Sequence, residues 1–518
     1  GALLLELLTG IPPFEGREDP EVLAALRAGE LPDCDVDLPA ELRDWVEGAT
    51  HPEAAERPAS VREMVERVNA WLDQEDRRER ALALVARAEG RLAEQRAALV
   101  EAEGLEAEAE VQLSGIPAWA EATEKEGGWA LQSRAAALRR AAGLALAEGV
   151  QLFREALSVD PTCREAHRPL SEHYVAALKD AEERREPEEA ERLAVLVRAH
   201  GGRRYSRWLE GGGFVSLHTD PPGAEVEVLL LQPSGRRLRE QSLGFLGHTP
   251  LREVPLPMGS YVLRLRHPLT EELRYPVQIR RMEHWDGVPP GERVPLPIRL
   301  PRRGELPPGL VVVPGGWTTV GRDRQALFVH PGARIWVDTF VMDQRPLCNR
   351  RLLAMLDRLE REGRGDEIRL PRAKAGAAHY ARGEAGWERV PDGEGDVWAL
   401  DWPVFSVDWW DAVAVADWRA GWEGRPWRLP SEWEREKAAR GVDGRFFPWG
   451  DSFDPSFCWM RESHRGRPLP REVGEGGLDI SPYGIRDLAG NIRDWCWEKA
   501  GREGEIVEGH RLVLPALD

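Results

Sequence analysis

The stretch RLPSEWEREKAARG, residues 428–441, has a clear helix-start signal and lies inside the most distinctive region of the chain. Ser431 precedes Glu434 by three residues, which is the spacing of a capping box, so a helix is predicted to begin just after Ser431. Of the 21 tryptophans, 15 stand at or after Trp317. Large planar side chains can fill the space between loops, which predicts core packing. A site at which tryptophan rings stack on a ligand is the alternative.

Short motifs on both sides of this helix follow one another along the chain. They are Leu310–Gly316 with Gly321, Val337–Asp343 with Asn349, Pro403–Trp409 with Asp411, Ala412 and Trp418, Arg428–Gly441 with Pro448–Gly450, and Tyr483–Ile485 with Gly490–Ile492. In this order they resemble the formylglycine-generating-enzyme, or sulfatase-modifying-factor, domain over residues 309–497. The resemblance implies an α+β domain with a fold of C-type-lectin type at 309–518, cut short at its C-terminal end.

The same resemblance implies a chemistry. Enzymes of this family oxidise a substrate cysteine with copper, which is held by two closely spaced cysteines after the motif that corresponds here to Gly490–Trp495. The residues that follow in this chain contain Cys496 and no second thiol. Because one thiolate cannot supply a two-thiolate copper site, we expect neither copper nor oxidase activity, and no catalytic residue is assigned.

Calcium is the metal for which the resemblance leaves a candidate site. The family binds it through a side-chain oxygen, two backbone carbonyls and a carboxylate, and these positions fall on Asp487, Gly490, Ile492 and Asp494. Oxygen ligands from a tight loop that contains glycine suit a hard cation such as Ca²⁺. Asp494 stands where the family usually has Glu, and Arg435 stands where it usually has Trp. The alternative is a pair of solvated aspartates in a polar loop.

The first residues of the chain, GALLLELLTGIPPFEG at 1–16, are apolar almost all round, which predicts a helix enclosed on every side. Together with residues 55–72 they resemble the end of the C-terminal lobe of a Ser/Thr protein kinase, through Leu7–Phe14 and the Arg57-Pro58 pair. The catalytic elements of that family precede this point. The resemblance therefore implies that ATP and Mg²⁺ bind only in a missing part of the parent kinase, and that this piece transfers no phosphate.

Arg57 has a structural role in the kinase family. By resemblance it would pair with a buried glutamate near the end of the activation segment, and that glutamate is not in this chain. The expectation is therefore an Arg57 that is solvated or without a partner, at the surface where a helix starts.

The residues between these two regions divide by their periodicity. Residues 73–210 are rich in the helix formers Ala, Glu, Arg and Leu, which predicts helices with at most a short coiled coil or helical hairpin. Within them, residues 143–209 resemble a tetratricopeptide repeat, with a plain spacer as the alternative. Residues 211–285 alternate with a period of two, which predicts strands with one buried face, and resemble the PEGA domain, a small β-sandwich. A linker is predicted at 286–308.

The predicted fold class is therefore multidomain α+β: a helical kinase C-lobe remnant at 1–72, a helical TPR-like linker, a PEGA-like β-sandwich and the C-terminal α+β domain. The formal charge of −19 argues against affinity for nucleic acid. No stretch reaches the ~20 apolar residues that cross a bilayer. Everything is thus expected on the side of the membrane where the kinase meets ATP, which is the cytoplasm. The five cysteines lack metal-ligand or redox spacing and are expected to be reduced thiols.

Three functions fit these features. The favoured one is the regulatory and sensory C-terminal part of a bacterial Ser/Thr kinase, whose last domain binds a protein or small-molecule ligand without catalysis. The first alternative is an oxidase that generates formylglycine in sulfatases. The second is a lectin-like binding protein with diversified surface loops at 380–402 and 456–472.

Overall fold

The structure is a computed structural model that describes residues 2–28, 30, 39–51, 53–117, 119–323, 332–368, 379–467, 469–497 and 511. The chain divides into two compact units, Gly1–Leu209 and Glu210–Asp518. The first unit is helical, and the second contains all the described strands together with further helices, which makes the fold α+β. Of the helices described, none combines the length and the apolar character that crossing a membrane requires.

The first unit is built from a series of helices of very different lengths. They are α1 (Ala2–Thr9), α2 (Asp19–Ala28), α3 (Ala40–Thr50), α4 (Val61–Leu113), α5 (Ala122–Val159), α6 (Arg164–Glu183), α7 (Pro187–Gly201) and α8 (Ser206–Leu209). The prediction that neighbours enclose the first helix is wrong for the described structure. Leu5 is buried, whereas Leu3 and Leu7 are 71% and 75% exposed. The main contact of α1 is with α3, and one neighbour covers only one face of a helix.

Arg57 lies between the short 3-10 turn Ala54–Glu56 and the start of α4. Its side chain is exposed, as expected. The expectation that it lacks a partner is wrong, because its Nε donates a hydrogen bond to the His51 carbonyl oxygen at 2.6 Å. Its acceptor is thus a backbone carbonyl oxygen six residues earlier in the chain.

Helices α4 and α5 form one long antiparallel hairpin, although the sequence predicted at most a short one. Most of the residues buried on these two helices are small and recur at intervals of seven or fourteen: Ala81, Ala88, Ala102 and Ala109 on α4, and Gly128, Ala135, Ala142, Gly149 and Ala156 on α5. A Cβ atom on Gly149 would lie 3.4 Å from the Ala88 carbonyl oxygen, so the two backbones approach closely. An ion pair between Arg91 and Glu148, with an N–O distance of 3.0 Å, lies at the exposed edge of the contact between the two helices.

Helices α6 and α7 follow the hairpin and pack against each other. Helix α5 ends at Val159 with Asp160 as its C-cap, and α6 begins at Arg164. Phe153, Leu170 and Leu178 are buried in the core that these helices share. The resemblance to a tetratricopeptide repeat stays a prediction.

The second unit begins with the strands that the period of two predicted. They are β1 (Gly213–Leu217), β2 (Thr219–Asp220), β3 (Glu225–Ser234), β4 (Arg237–His248), β5 (Leu251–Leu256), β6 (Gly259–Arg266), β7 (Leu273–Ile279), β8 (His284–Trp285) and β9 (Ile298–Arg299). One sheet is antiparallel with the order β4-β3-β6-β7, and another has the order β5-β1-β8. Buried side chains from both sheets, such as Val215 and Leu263, belong to one core.

The segment 286–308, predicted as a linker, is part of this packing. Its strand β9 pairs in parallel with β2. Ile298 and Leu300 are buried in the sandwich core, which also takes in Val312 and Val442 from the region after the linker. The β-strands before the linker and the residues after it therefore share one hydrophobic core.

The rest of the second unit consists of short strand pairs and three described helices. These elements are β10 (Leu310–Val313), β11 (Gly316–Val320), β12 (Ala333–Val337), β13 (Phe340–Asp343), α9 (Asn349–Arg361), β14 (Tyr380–Gly383), β15 (Gly386–Arg389), α10 (Trp409–Glu423) and α11 (Glu432–Arg440). The pairs β10–β13, β11–β12 and β14–β15 are each antiparallel and two-stranded.

Lys437 on α11 joins the helix to the first two of these strand pairs. Its side chain is 1% exposed. The Nζ atom donates hydrogen bonds to the carbonyl oxygens of Pro314 at 2.8 Å, Gly316 at 3.2 Å and Val337 at 3.1 Å. An ammonium group has three N–H donors, so the three carbonyls satisfy it completely.

Replacing the Lys437 side chain should destabilise the folded protein. Lys437→Met keeps a long unbranched side chain but leaves three buried carbonyl oxygens without a donor, so we expect the free energy of unfolding to fall by about 2–3 kcal/mol at neutral pH. Urea denaturation followed by tryptophan fluorescence measures it, because most tryptophans lie in this region. The matched control is Lys179→Met on an exposed face of α6, expected to change stability by less than about 0.5 kcal/mol.

The same pair of proteins tests the charge state of this lysine. Burial lowers the pKa of Lys437 from 10.5 to about 7, against the opposing effect of the Asp338 and Glu434 carboxylates. Between these two values the unfolded chain binds a proton that the native chain has released, so this residue makes unfolding less favourable as the pH rises. The stability difference between wild type and Lys437→Met should therefore grow from pH 7 towards pH 10. A difference that stays constant over this range would contradict the lowered pKa.

Candidate functional site

The second unit contains a cavity of about 1290 Å³. It lies between strand β13, helices α9 and α10, the start of α11, and the segments 404–407, 425–430 and 485–495. Pockets that take small molecules are usually of about 300–1,000 Å³, so this one has room for a ligand of that class.

Helix starts place several of the side chains that line the cavity. The capping box predicted for α11 is confirmed: the Glu434 N–H donates to Ser431 Oγ at 3.0 Å, and the Ser431 N–H donates to the Glu434 carboxylate at 2.8 Å. Helix α10 begins in the same way, with Asp408 and Asp411 exchanging bonds of 2.8 and 3.1 Å. Both boxes fix where their helices begin, and thereby fix which residues of the first turn face the cavity.

Apolar side chains form much of the cavity wall. They come from separate elements, which are β13, the loop before α9, α9 itself, the 404–407 segment and α10: Phe340, Met342, Leu347, Met355, Phe405 and Val415. Several belong to the two hydrophobic clusters that pack on α9 and on α11. The side chains of the wall are thus held by packing within these hydrophobic clusters, which gives the cavity a defined shape.

Charged side chains complete the lining. Eight of the described lining residues are arginines and six carry carboxylates. Asp343 binds both Arg351, at 3.2 Å, and Arg419. Arg428 makes a two-pronged contact with the Glu434 carboxylate, with both N–O distances at 2.7 Å. These pairs neutralise part of the charge and hold the guanidinium groups in place.

Arg435 and Asp494, two positions at which the sequence departs from the motifs that it resembles, bind each other. Arg435 Nε donates to Asp494 Oδ2 at 2.9 Å, and its Nη2 donates to the Leu488 carbonyl oxygen at 2.8 Å. The sequence marks Arg435 and Asp494 as separate departures and does not predict their contact, because 59 residues separate them. The arginine side chain is long enough to reach the carboxylate of Asp494, whose side chain is one methylene shorter than that of the usual Glu.

Of the four residues predicted to bind calcium, three line the cavity: Asp487, Ile492 and Asp494. Gly490 is not among the lining residues, and a Cβ atom there would come 2.6 Å from the Trp459 carbonyl oxygen. Asp487 is 1% exposed, and its Oδ2 accepts a hydrogen bond from the Gly474 N–H at 2.6 Å. Its Oδ1 is buried and has no hydrogen-bond partner among the described residues.

Asp479 is a member of this loop cluster that the sequence analysis missed. Its Oδ2 accepts hydrogen bonds from the backbone N–H groups of Ala489, at 2.8 Å, and Gly490, at 3.0 Å. Burial raises the pKa of Asp479 to about 6, and the Asp487 carboxylate adds to the shift, although the backbone donors oppose it. No pattern near Asp479 in the sequence marks it, because its partners lie ten or more residues away.

Most of the described tryptophans pack rather than line the cavity. Trp336 and Trp398 are 2% and 3% exposed, which confirms core packing for these two. The Trp398 ring stacks on Phe405 with a centroid distance of 3.7 Å. Trp427 and Trp495 do line the cavity, and the Arg419 guanidinium covers the Trp427 ring at 3.6 Å.

Two of the described cysteines, Cys348 and Cys496, directly follow the lining residues Leu347 and Trp495 in the sequence. Cys348 and Cys458 are buried, and Cys496 is partly buried. No cysteine belongs to the part of the lining that the structure describes. Within the described ranges, no three side chains of His, Cys, Asp or Glu come together as a metal site.

Comparison with known proteins identifies the domain around the cavity. Residues 299–513 match the family model of the sulfatase-modifying factor enzyme 1-like domain, so the C-terminal part of the chain contains a domain of this kind. This confirms the resemblance drawn from the motifs at 309–497. The kinase, TPR-like and PEGA resemblances stay predictions.

Three relatives cover this region. A "Formylglycine-generating enzyme" from Thermomonospora curvata is 29% identical over 235 residues, which are 38% of this chain and 74% of the relative. An "Inactive C-alpha-formylglycine-generating enzyme 2" from Mus musculus is 28% identical over 39% of this chain and 73% of its own length. "Uncharacterized protein YfmG" from Bacillus subtilis is 24% identical over 36% of this chain and 41% of its own length. The relatives thus include proteins with and without the enzymatic activity in their names.

Proposed function

We propose that the C-terminal domain is a non-catalytic module that binds a protein or small-molecule ligand, and that it serves as the sensory part of a bacterial Ser/Thr protein kinase. The observation that carries the proposal is the cavity of about 1290 Å³, whose described lining offers apolar and charged surface but no thiol. Such a lining can recognise a ligand, but it lacks the nucleophilic or copper-binding sulfur that cysteine oxidation needs.

One relative supports this interpretation by its name. The protein from Mus musculus is described as inactive, and its similarity covers 73% of its length. A domain of this family can therefore exist without the activity. Formylglycine-generating oxidation remains the second candidate, because other relatives carry that name at similar identity.

An aldehyde assay separates these two candidates. We expect the full chain, incubated with copper, oxygen and a cysteine-containing sulfatase peptide, to form no aldehyde, since its described cavity lining holds no thiol. Mass spectrometry of the peptide measures the product. The Thermomonospora curvata enzyme, treated identically, is the positive control. Aldehyde formation by this chain above the no-enzyme level would contradict the sensory function and support formylglycine-generating oxidation instead.

The kinase part of the proposal rests on residues 1–16 and 55–72, which resemble the end of a kinase C-terminal lobe. In that case ATP and Mg²⁺ would bind in a preceding lobe of the parent protein, and the whole would act in the cytoplasm. The gene sequence upstream of Gly1 tests this directly. We expect it to encode a Gly-rich loop, a catalytic-loop Asp and a metal-binding Asp-Phe-Gly. An unrelated fold at that position would overturn the parentage without affecting the ligand-binding domain.

Calcium binding at Asp487, Gly490, Ile492 and Asp494 is a further part of the proposal. The buried Oδ1 of Asp487, which has no partner among the described residues, is an oxygen that suits a hard cation. Asp494 fits less well, because Arg435 already occupies its Oδ2. A calcium ion there would have to compete with the guanidinium for the same carboxylate, so affinity is expected to be low.

Calorimetric titration with millimolar Ca²⁺ tests this site. We expect weak, saturable binding to the full chain, loss of binding in Asp487→Asn, and tighter binding in Arg435→Gln, because that change releases Asp494. Glu384→Gln is the matched control, since Glu384 is an exposed carboxylate in the turn between β14 and β15. Absence of binding heat in both wild type and Arg435→Gln would remove calcium from the proposal.

A further inference from the structure

We infer that the cavity takes an amphipathic organic anion: a small molecule with an apolar body and one strongly acidic group such as a carboxylate, sulfonate or phosphate. The inference rests on the proposed ligand-binding function and names the chemical class of the ligand. Three observations lead to it, which are the sign of the charge in the cavity, the position of two of its arginines, and the apolar side chains in the same lining.

The charge of the cavity is opposite to that of the chain. The chain carries a formal charge of −19, with acidic residues outnumbering basic ones. Among the described lining residues, arginines outnumber carboxylates by eight to six. A positive cavity in a negative protein is a local arrangement that composition does not produce by itself, and it favours a ligand of negative charge.

Six of the eight arginines in the described lining form two groups. Arg351, Arg419, Arg428 and Arg435 each contact a carboxylate, as described above. Arg345 and Arg486 have no carboxylate within 4.0 Å among the described residues; Arg486 Nη1 instead donates to the Gly474 carbonyl oxygen at 3.1 Å. The arginines of the first group are neutralised by carboxylates of the protein. For Arg345 and Arg486, a bound anion would supply the negative charge.

Arg345 and Arg486 lie next to the same residue. Gly474 has a φ of +86°, and a Cβ atom there would come 2.5 Å from Arg345 Nε, so the absence of a side chain lets that guanidinium lie against the backbone. Their main chains are also linked, since the Arg486 N–H donates to the Gln344 carbonyl oxygen at 2.9 Å. Two neighbouring guanidinium groups repel each other, and an anion placed between them relieves that repulsion while accepting several charge-assisted hydrogen bonds.

The apolar part of the lining selects the other half of the ligand. Phe340, Met342, Leu347 and Phe405 present aromatic and aliphatic surface to the same cavity. A fully hydrated ion such as inorganic phosphate would leave this surface in contact with water. An apolar body attached to the acidic group would cover it, which contributes roughly 25 cal/mol for each Å² removed from water.

A pair of matched probes tests both halves. The first is 8-anilinonaphthalene-1-sulfonate, and the second is N-phenyl-1-naphthylamine, which has the same aromatic body without the sulfonate. We expect the full chain to bind the sulfonate saturably, with one probe per chain by fluorescence titration, and at least about tenfold more tightly than the uncharged amine. Equal affinity for the two probes would overturn the assignment of an anion site.

Substitutions locate the binding in this cavity. The double variant Arg345→Gln/Arg486→Gln should weaken the sulfonate about tenfold and leave the amine unchanged. The matched control is Arg252→Gln, an exposed arginine on β5 outside the cavity, which should change neither. If the double variant does not fold, as judged by circular dichroism, Arg345→Gln alone and the salt dependence of wild type replace it. Sulfonate binding that neither Arg345→Gln nor added salt weakens would contradict the proposal.

The outcome is separable from that of the aldehyde assay. No aldehyde together with equal probe affinities would leave a non-catalytic domain whose ligand is not an anion. Aldehyde formation together with the expected probe pattern would overturn the sensory function and keep the anion site.

Discussion

The C-terminal domain depends on the three hydrogen bonds that Lys437 makes with backbone carbonyls. Its strand pairs β10–β13 and β11–β12 have two strands each, and a two-stranded sheet is marginal by itself in water. The ammonium group bonds the connection between β10 and β11 and the end of β12, so both pairs are joined to helix α11. The capping box that begins this helix then sets Glu434 and Arg435 at the cavity. One buried amino group thereby links the frame of the domain to its site.

Features that depend on a few neighbouring residues could be predicted from the sequence. Features that depend on contacts between residues far apart in the sequence could not. The capping box of Ser431 and Glu434, the period-two strands and the motif order at 309–497 are local, and each is present in the structure or matched by the family. The sequence did not predict the long hairpin because most of the residues buried on its helices are alanines and glycines, which give a weaker hydrophobic pattern than leucine or valine. The Arg435–Asp494 pair joins a helix to a loop, and Asp479 bonds loop residues ten and eleven positions away, so no local pattern predicts either contact.

Within the cavity, arginines serve two purposes that only their surroundings distinguish. Those that face Asp343, Glu434 or Asp494 fix the walls, because a guanidinium in a two-pronged contact loses most of its freedom to move. Those beside Gly474 have backbone as their described neighbour and keep their positive potential directed at the cavity. The same residue type thus builds the site in one place and confers its selectivity in another. A count of arginines in the sequence would treat the two alike.

The core shared by the β-sandwich and the following domain limits how this protein can be divided. Val312 and Val442 are buried among sandwich residues, and the Leu238 N–H donates to the Trp449 carbonyl oxygen at 2.7 Å across the same boundary. A protein shortened to the family match at 299–513 would expose these apolar side chains to water and invite aggregation. The family boundary marks shared ancestry, while the physical unit of folding is larger. Exchange of the sandwich for another module, in the laboratory or in evolution, would require a new apolar surface of matching shape.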